Sequence, residues 1–157
     1  MSKTTEPKVS LDPTKDDFDY QTSPFYNLAR VLSLYHQRLD AALKPVGMDV
    51  ARWRILTILE KREPATVTKL STETMIRIST IAKLVQRMAA EGLVDTRPST
   101  EDARSTDVFL TELGREKMAV VFQKARAIAI QACHDIETDD LHAVNVITRK
   151  IFSNLNP

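Results

Sequence analysis

A chain of 157 residues is long enough to bury one real core without staples, so a single compact domain is expected. Its 22 basic and 21 acidic side chains leave a formal charge of +1, so attraction to a polyanion has to be local. A single cysteine, Cys133, excludes an internal disulfide. The polar start as far as Asp19, and the lack of any run near the roughly 18 apolar residues of a membrane span, make the expectation a cytoplasmic protein with no membrane partner.

Residues 1–22 mix Lys, Thr, Glu and Asp with Pro7 and Pro13 and carry few large apolar groups, a composition that cannot offset its ordering entropy. A flexible N-terminal arm is expected there, followed by one domain over 23–157. From Pro24 onward Phe25, Leu28, Leu32, Tyr35, Leu39 and Leu43 recur at spacings of three and four, one face of a helix that Pro45 and Gly47 end. Asp49 is placed to cap a second helix burying Trp53, Leu56 and Leu59 and stopping before Glu63-Pro64. Thr66 can cap a short third helix with Val67 and Leu70 inward. A fourth helix then runs to about Glu91, with Ile78, Ile81, Leu84, Val85 and Met88 inward and Gly92 as its left-handed stop. The pair reads as a helix-turn-helix.

Leu93 to Arg97 reads as a strand ended by Pro98, Ser99 to Arg104 as a polar loop, and Thr106 to Leu110 as a returning strand, together a wing. Thr111 can cap a long fifth helix with Met118, Val121, Phe122, Ala125, Ile128, Ala129 and Ala132 on one side, ending near Asp135. Thr138 can cap a last helix whose apolar positions are Leu141, Val144, Ile147, Ile151 and Leu155. The expected fold is mainly α with a small two- to three-stranded β wing. The winged helix-turn-helix covers about 49–112, and dimerisation helices cover about 24–44 and 112–155. The first and last helices carry apolar stripes longer than a small core can cover, which points to a homodimer. Two reading helices related by a two-fold axis would match palindromic half-sites on duplex DNA.

The face of the fourth helix opposite its apolar stripe carries Ser79, Thr80, Lys83, Gln86 and Arg87, all able to donate hydrogen bonds to phosphates or base edges. Arg104, at the ribbon tip, suits a minor groove, and Asp102 is positioned to hold its guanidinium. Thr66, Arg77, Arg97 and Ser99 complete the residues expected at the DNA.

The run Asp102-Ala103-Arg104, then Val108, Leu110-Thr111 and Gly114, resembles the wing signature of MarR-family regulators. Thr66 to Leu70 is similar to that family's third helix, Ser79 to Met88 with Glu91 to Val94 to its recognition helix, and Trp53-Arg54-Ile55-Leu56 to a further family segment. The likeness extends over roughly residues 25–155. It implies a triangular dimer held by the first, fifth and sixth helices, recognition contacts from Ser79, Thr80 and Lys83, a wing arginine at Arg104, and a ligand pocket between the dimerisation and DNA-binding parts. Two positions depart from the family pattern. Arg77 replaces a small polar cap and is read as a phosphate contact, with Thr74 or Ser79 as the alternative caps; Asp107 puts an acid on the return strand.

The function this implies is a sequence-specific DNA-binding regulator, a ligand-responsive repressor. His36, Trp53 and Arg54 are the candidates for holding a small aromatic or phenolic ligand, against the plainer reading that Trp53 is core and the others are surface. Alternatives are a winged helix that binds protein, and redox control through Cys133, which has little nearby to activate its thiol. His134 and His142 lack further ligands for a metal. No cofactor is expected, and no phosphate loop or nucleophile elbow suggests an enzyme.

Overall fold

The computed structural model describes residues 11–100, 102 and 104–156. Six helices and three short strands follow in the order α1 (Pro24–Leu43), α2 (Val50–Lys61), β1 (Ala65–Thr66), α3 (Val67–Thr74), α4 (Ile78–Ala90), β2 (Val94–Pro98), β3 (Thr106–Leu110), α5 (Glu112–Ala132) and α6 (Thr138–Leu155). The first ten residues of the expected arm lie outside the described residues; its end forms a 3-10 turn at Tyr20–Thr22, capped by Asp19, with the Tyr20 ring edge-on to Tyr26 at 4.9 Å.

The helix ends follow local chemistry. Pro24 opens α1, where a missing N–H costs nothing. After α1, Gly47 takes the left-handed conformation at φ 73°. Asp49 accepts the Arg52 N–H at 2.8 Å, Thr66 Oγ1 accepts the Lys69 N–H at 3.1 Å, and Thr111 Oγ1 accepts the Gly114 N–H at 3.0 Å, each satisfying a first-turn donor that the helix cannot. At α6 the expected cap is displaced: Glu137 is the capping position, contributes no side-chain bond, and Thr138 is already helical.

The strands make one antiparallel sheet in the order β1-β3-β2, with Ala65 opposite Val108 and Val94 opposite Leu110. Only two residues long, β1 has no alternating pattern to read, so it gives no strand signal of its own; pairing with β3 creates it. The core joins Leu39 and Leu43 of α1, Ile55, Leu56 and Leu59 of α2, Leu70, then Ile81, Leu84, Val85 and Met88 of α4, Val108, and Met118, Val121 and Ala125 of α5.

Several positions expected inside are not. Ile78 is 51% exposed, because the apolar stripe of α4 runs one turn beyond what covers it. Val67 and Trp53 are half-buried at the core's edge, and Ala129 and Ala132 are exposed. Within one chain α6 buries none of its residues, and Phe25 and Leu32 of α1 stay exposed. The α6 stripe is therefore left open over most of its length, and the α1 stripe over its N-terminal half.

Candidate nucleic-acid interface

The turn between α3 and α4 presents the polar helix face. Thr74 is fully buried and its hydroxyl donates to the Leu70 carbonyl at 2.6 Å, closing α3; Met75 follows in the left-handed conformation at φ 55°, and Ser71 Oγ donates to the Ile76 carbonyl at 2.6 Å. These bonds fix the turn by side chains, in the absence of a glycine. Thr74 is thus spent on α3 and does not cap α4, Ser79 lies inside α4, and Arg77 occupies the capping position without a side-chain bond. The first-turn amides of α4 are left without a side-chain cap at the positive end of the helix dipole.

Arg77, Ser79, Thr80, Lys83, Gln86 and Arg87 are all exposed. Lys83, Gln86, Arg87 and Ala90 line a shallow groove along α4. Among the described residues, none donates or accepts a hydrogen bond or ion pair to the side chains of Lys83, Gln86 and Arg87. This row of donors, on a helix whose other side packs into the core from Ile81 to Met88, is chemically able to meet an acceptor-rich partner.

The wing differs from expectation. Asp102 Oδ1 accepts the backbone N–H of Arg104 at 2.9 Å, and Oδ2 accepts the Ser105 hydroxyl at 3.3 Å. The acid therefore shapes the loop backbone and does not grip the Arg104 guanidinium, which is exposed. Arg97 is engaged within the sheet: it pairs with Asp95 at 3.1 Å and lies 4.9 Å over the Phe109 ring, with Asp107 opposite it on β3. Ser99 is only 9% exposed, and its N–H donates to the Ser105 carbonyl at 2.9 Å. Thr66 is half-buried and used as a cap. The sequence-predicted set thus divides into an exposed group on α4 with Arg104, and a group of Thr66, Arg97, Ser99 and Asp102 that bonds within the protein and builds the frame, with Arg97 and Asp102 still exposed. Side-chain type cannot separate the groups, because burial and pairing are settled by the sheet.

A second site lies between α1, α2 and α5: a cleft of about 370 Å³ lined by Tyr35, Trp53, Thr57, Phe122, Gln123, Ala125, Arg126 and Ala129. The rings of Tyr35 and Trp53 are 6.4 Å apart, and the Trp53 Nε1 is buried with no acceptor. Burial in this wall raises the Tyr35 phenol pKa above its usual value, with Cys133 adding to the effect. Of the three residues expected to line a pocket, only Trp53 does; His36 stands beside Tyr35 with ring centres 5.9 Å apart, and Arg54 points elsewhere on α2. The cation of the cleft is Arg126, four turns into α5, a position that the apolar stripe of α5 does not mark. Cys133 is exposed, and no cluster of three metal-ligating side chains occurs among the described residues.

A helix-turn-helix followed by a β hairpin, with the second helix exposing polar donors, defines the winged helix-turn-helix class of regulator. Comparison with known proteins narrows this. Residues 49–106 match the MarR family model. The transcriptional repressor IacR of Pseudomonas putida is 36% identical over 144 residues, 92% of this chain and 86% of that protein. Among solved structures, a MarR-family regulator from Silicibacter pomeroyi superposes with a TM-score of 0.80 at 22% identity, over 88% of this chain and 93% of that one. CouR from Rhodococcus jostii RHA1, solved bound to p-coumaroyl-CoA, gives 0.77 at 19% identity over 85% and 94%. The chain belongs to the MarR family of transcriptional regulators.

Proposed function

We propose that the protein is a homodimeric repressor that binds a palindromic duplex operator through α4 and the wing and releases it when a small aromatic or phenolic molecule enters the cleft at Trp53. The observation that carries this is the row Ser79, Thr80, Lys83, Gln86 and Arg87, exposed and, among the described residues, without side-chain partners, on the side of α4 opposite its buried face. An apolar protein partner would want aromatic or aliphatic anchors there; this face offers donors. Dimerisation is supported by α6, where none of the described residues covers Val144, Ile147 and Leu155, and by the exposed Phe25 and Leu32 of α1. Repression agrees with IacR, itself a transcriptional repressor, and ligand response with the p-coumaroyl-CoA bound to CouR. The cleft itself supplies aromatic walls, an unsatisfied indole N–H and the Arg126 cation, a set that suits an aromatic ring bearing an oxygen acceptor. The bare helix face and Arg104 are the groups we assign to DNA, and no covalent chemistry is needed.

The test is fluorescence anisotropy on a duplex enriched from a random pool, across salt, followed by a panel of phenols and aromatic carboxylates. Affinity should fall steeply and linearly on a log-log plot of salt, by about 10³-fold or more between 50 and 200 mM if six or more phosphates are neutralised, and one class of compound should reverse it. Salt-insensitive binding, or no enrichment of any duplex, would sink the DNA reading in favour of a protein partner. Enrichment that no compound reverses would remove the ligand response and leave Cys133 oxidation as the control to test.

A further inference from the structure

Away from the exposed face of α4 and from the cleft, the most enclosed of the ion-paired side chains among the described residues is Arg52, in the first turn of α2, its side chain only 14% exposed. Its two terminal nitrogens donate to the two carboxylate oxygens of Glu91, each at 2.9 Å. One of them also donates to the Gly47 carbonyl at 2.9 Å, and Nε stands 3.6 Å from Asp49, the acid that caps α2. Glu91 is the residue at which α4 ends, and Gly92, left-handed at φ 73°, turns the chain from there into β2. One guanidinium thus ties together the α1–α2 turn, the start of α2 and the point from which both the polar helix and the wing depart.

Two parallel bonds between a planar fork and a carboxylate fix orientation as well as distance. A solvated pair would add little; this one is enclosed on the arginine side and joins residues 39 apart in the chain. Thr80 lies eleven residues before Glu91, about 16 Å along the helix axis at the usual rise. A rotation of about 5° about the Glu91 end therefore moves Thr80 by more than about 1 Å, enough to lose a hydrogen bond whose length varies by only about 0.5 Å. Contacts from Ser79, Thr80 and Lys83 to bases depend on that angle.

We propose that Arg52 is a positioning residue for DNA reading, which, through Glu91, sets the tilt of α4 and the take-off of the wing. The proposal rests on the DNA-binding reading above. It predicts a loss of discrimination, not of non-specific attraction, because Arg52 and Glu91 need not touch DNA for the effect.

The experiment measures, for the intact dimer, affinity on the enriched duplex and on its scrambled counterpart, with thermal melting alongside. Glu91→Gln and Arg52→Lys should each lower the ratio of the two affinities by about five- to a hundredfold, the scale of one or more lost base contacts, with the scrambled-duplex affinity and its salt slope little changed. The charge-swapped double variant, Arg52→Glu with Glu91→Arg, should regain part of the ratio at unchanged net charge. An unchanged ratio in Glu91→Gln, or an equal loss on both duplexes accompanied by a lower melting temperature, overturns the positioning role. A wild-type protein that does not discriminate between the duplexes overturns the DNA reading itself, and the proposal with it.

Discussion

Replacing Gly114 by alanine sets two effects of opposite sign against each other. Gly114 is in the first turn of α5, where alanine would by intrinsic propensity stabilise the helix by about 1 kcal/mol. Its Cα, however, faces the backbone of Leu93, the residue entering β2. A Cβ there would lie 3.1 Å from the Leu93 carbonyl carbon and 3.4 Å from Leu110 Cδ2, with the Leu93 oxygen nearer still, inside the 3.0 Å that real Cβ atoms essentially never breach. The obstacle is backbone, so it cannot swing aside. Relief requires α5 to move off the sheet, straining the Thr111 N–H bond to the same Leu93 oxygen at 3.3 Å and the Thr111 hydroxyl bond to Gly92 at 2.6 Å. Overpacking at the upper end of its usual range, about 3 kcal/mol, with about 1 kcal/mol for a weakened bond, exceeds the propensity gain and leaves a net loss of about 3 kcal/mol. At about 2–4 °C per kcal/mol for a chain of this size, the melting temperature should fall by about 6–12 °C. Melting curves and urea midpoints at one fixed protomer concentration would read this, since the stability of the proposed dimer would depend on concentration. Gly92→Ala is the control: its Cβ would meet only Leu113 Cδ2 at 3.6 Å, so its cost is the left-handed backbone alone, about 1–2 kcal/mol. A Gly114→Ala protein as stable as wild type, or more stable, would refute the close approach and with it this account of the wing's root.

Lys83→Ala should weaken operator binding and relax preference by about 1–3 kcal/mol at one base position; equal loss on every sequence would make Lys83 a phosphate contact. Arg104→Ala should cost more affinity than Arg97→Ala, because Arg97 is held by Asp95 and the Phe109 ring, and the reverse order would show that the sheet releases Arg97 on DNA. Ile147→Asp should convert the proposed dimer to monomer in sedimentation, since it puts a charge into an apolar stripe that none of the described residues covers; a persistent dimer would place the interface elsewhere. With the Tyr35 pKa raised by burial, its phenol stays neutral in the folded chain after the unfolded one has ionised, so the associated stability is whole below about pH 10 and is lost as pH rises through the higher folded value. Ultraviolet titration should show one of the three tyrosines ionising late, and Tyr35→Phe should abolish that phase; a late phase surviving the substitution would assign it to another ring.

Much of the fold was legible because its signals are local. Asp49, Thr66 and Thr111 cap as their side chains dictate, Gly47 and Gly92 stop helices through a backbone conformation that glycine adopts without strain, and the spacing of Ile81, Leu84, Val85 and Met88 marks the buried side of α4 whatever surrounds it. The polar face of α4 follows from the same periodicity, which is why its outward residues were identified correctly. The start of α4 was not legible: Thr74 has the chemistry of a cap, and only the packed turn shows its hydroxyl already used by Leu70.

What the sequence determined by itself is the six helices and the β2–β3 hairpin, most of their ends and the apolar side of each helix, since these depend on neighbours a few residues away; β1, the start of α4 and the cap of α6 were not among them. The tertiary structure alone decided which polar groups are free. Arg97 and Arg104 are chemically identical and both exposed, yet β3 brings Phe109 beneath one while the other stands at the loop. It also chose Arg126 over His36 and Arg54 for the cleft, closed the bond between Arg52 and Glu91, and brought the Leu93 backbone against Gly114. Each is a contact between residues far apart in the chain, whose energy depends on distances that no local pattern encodes.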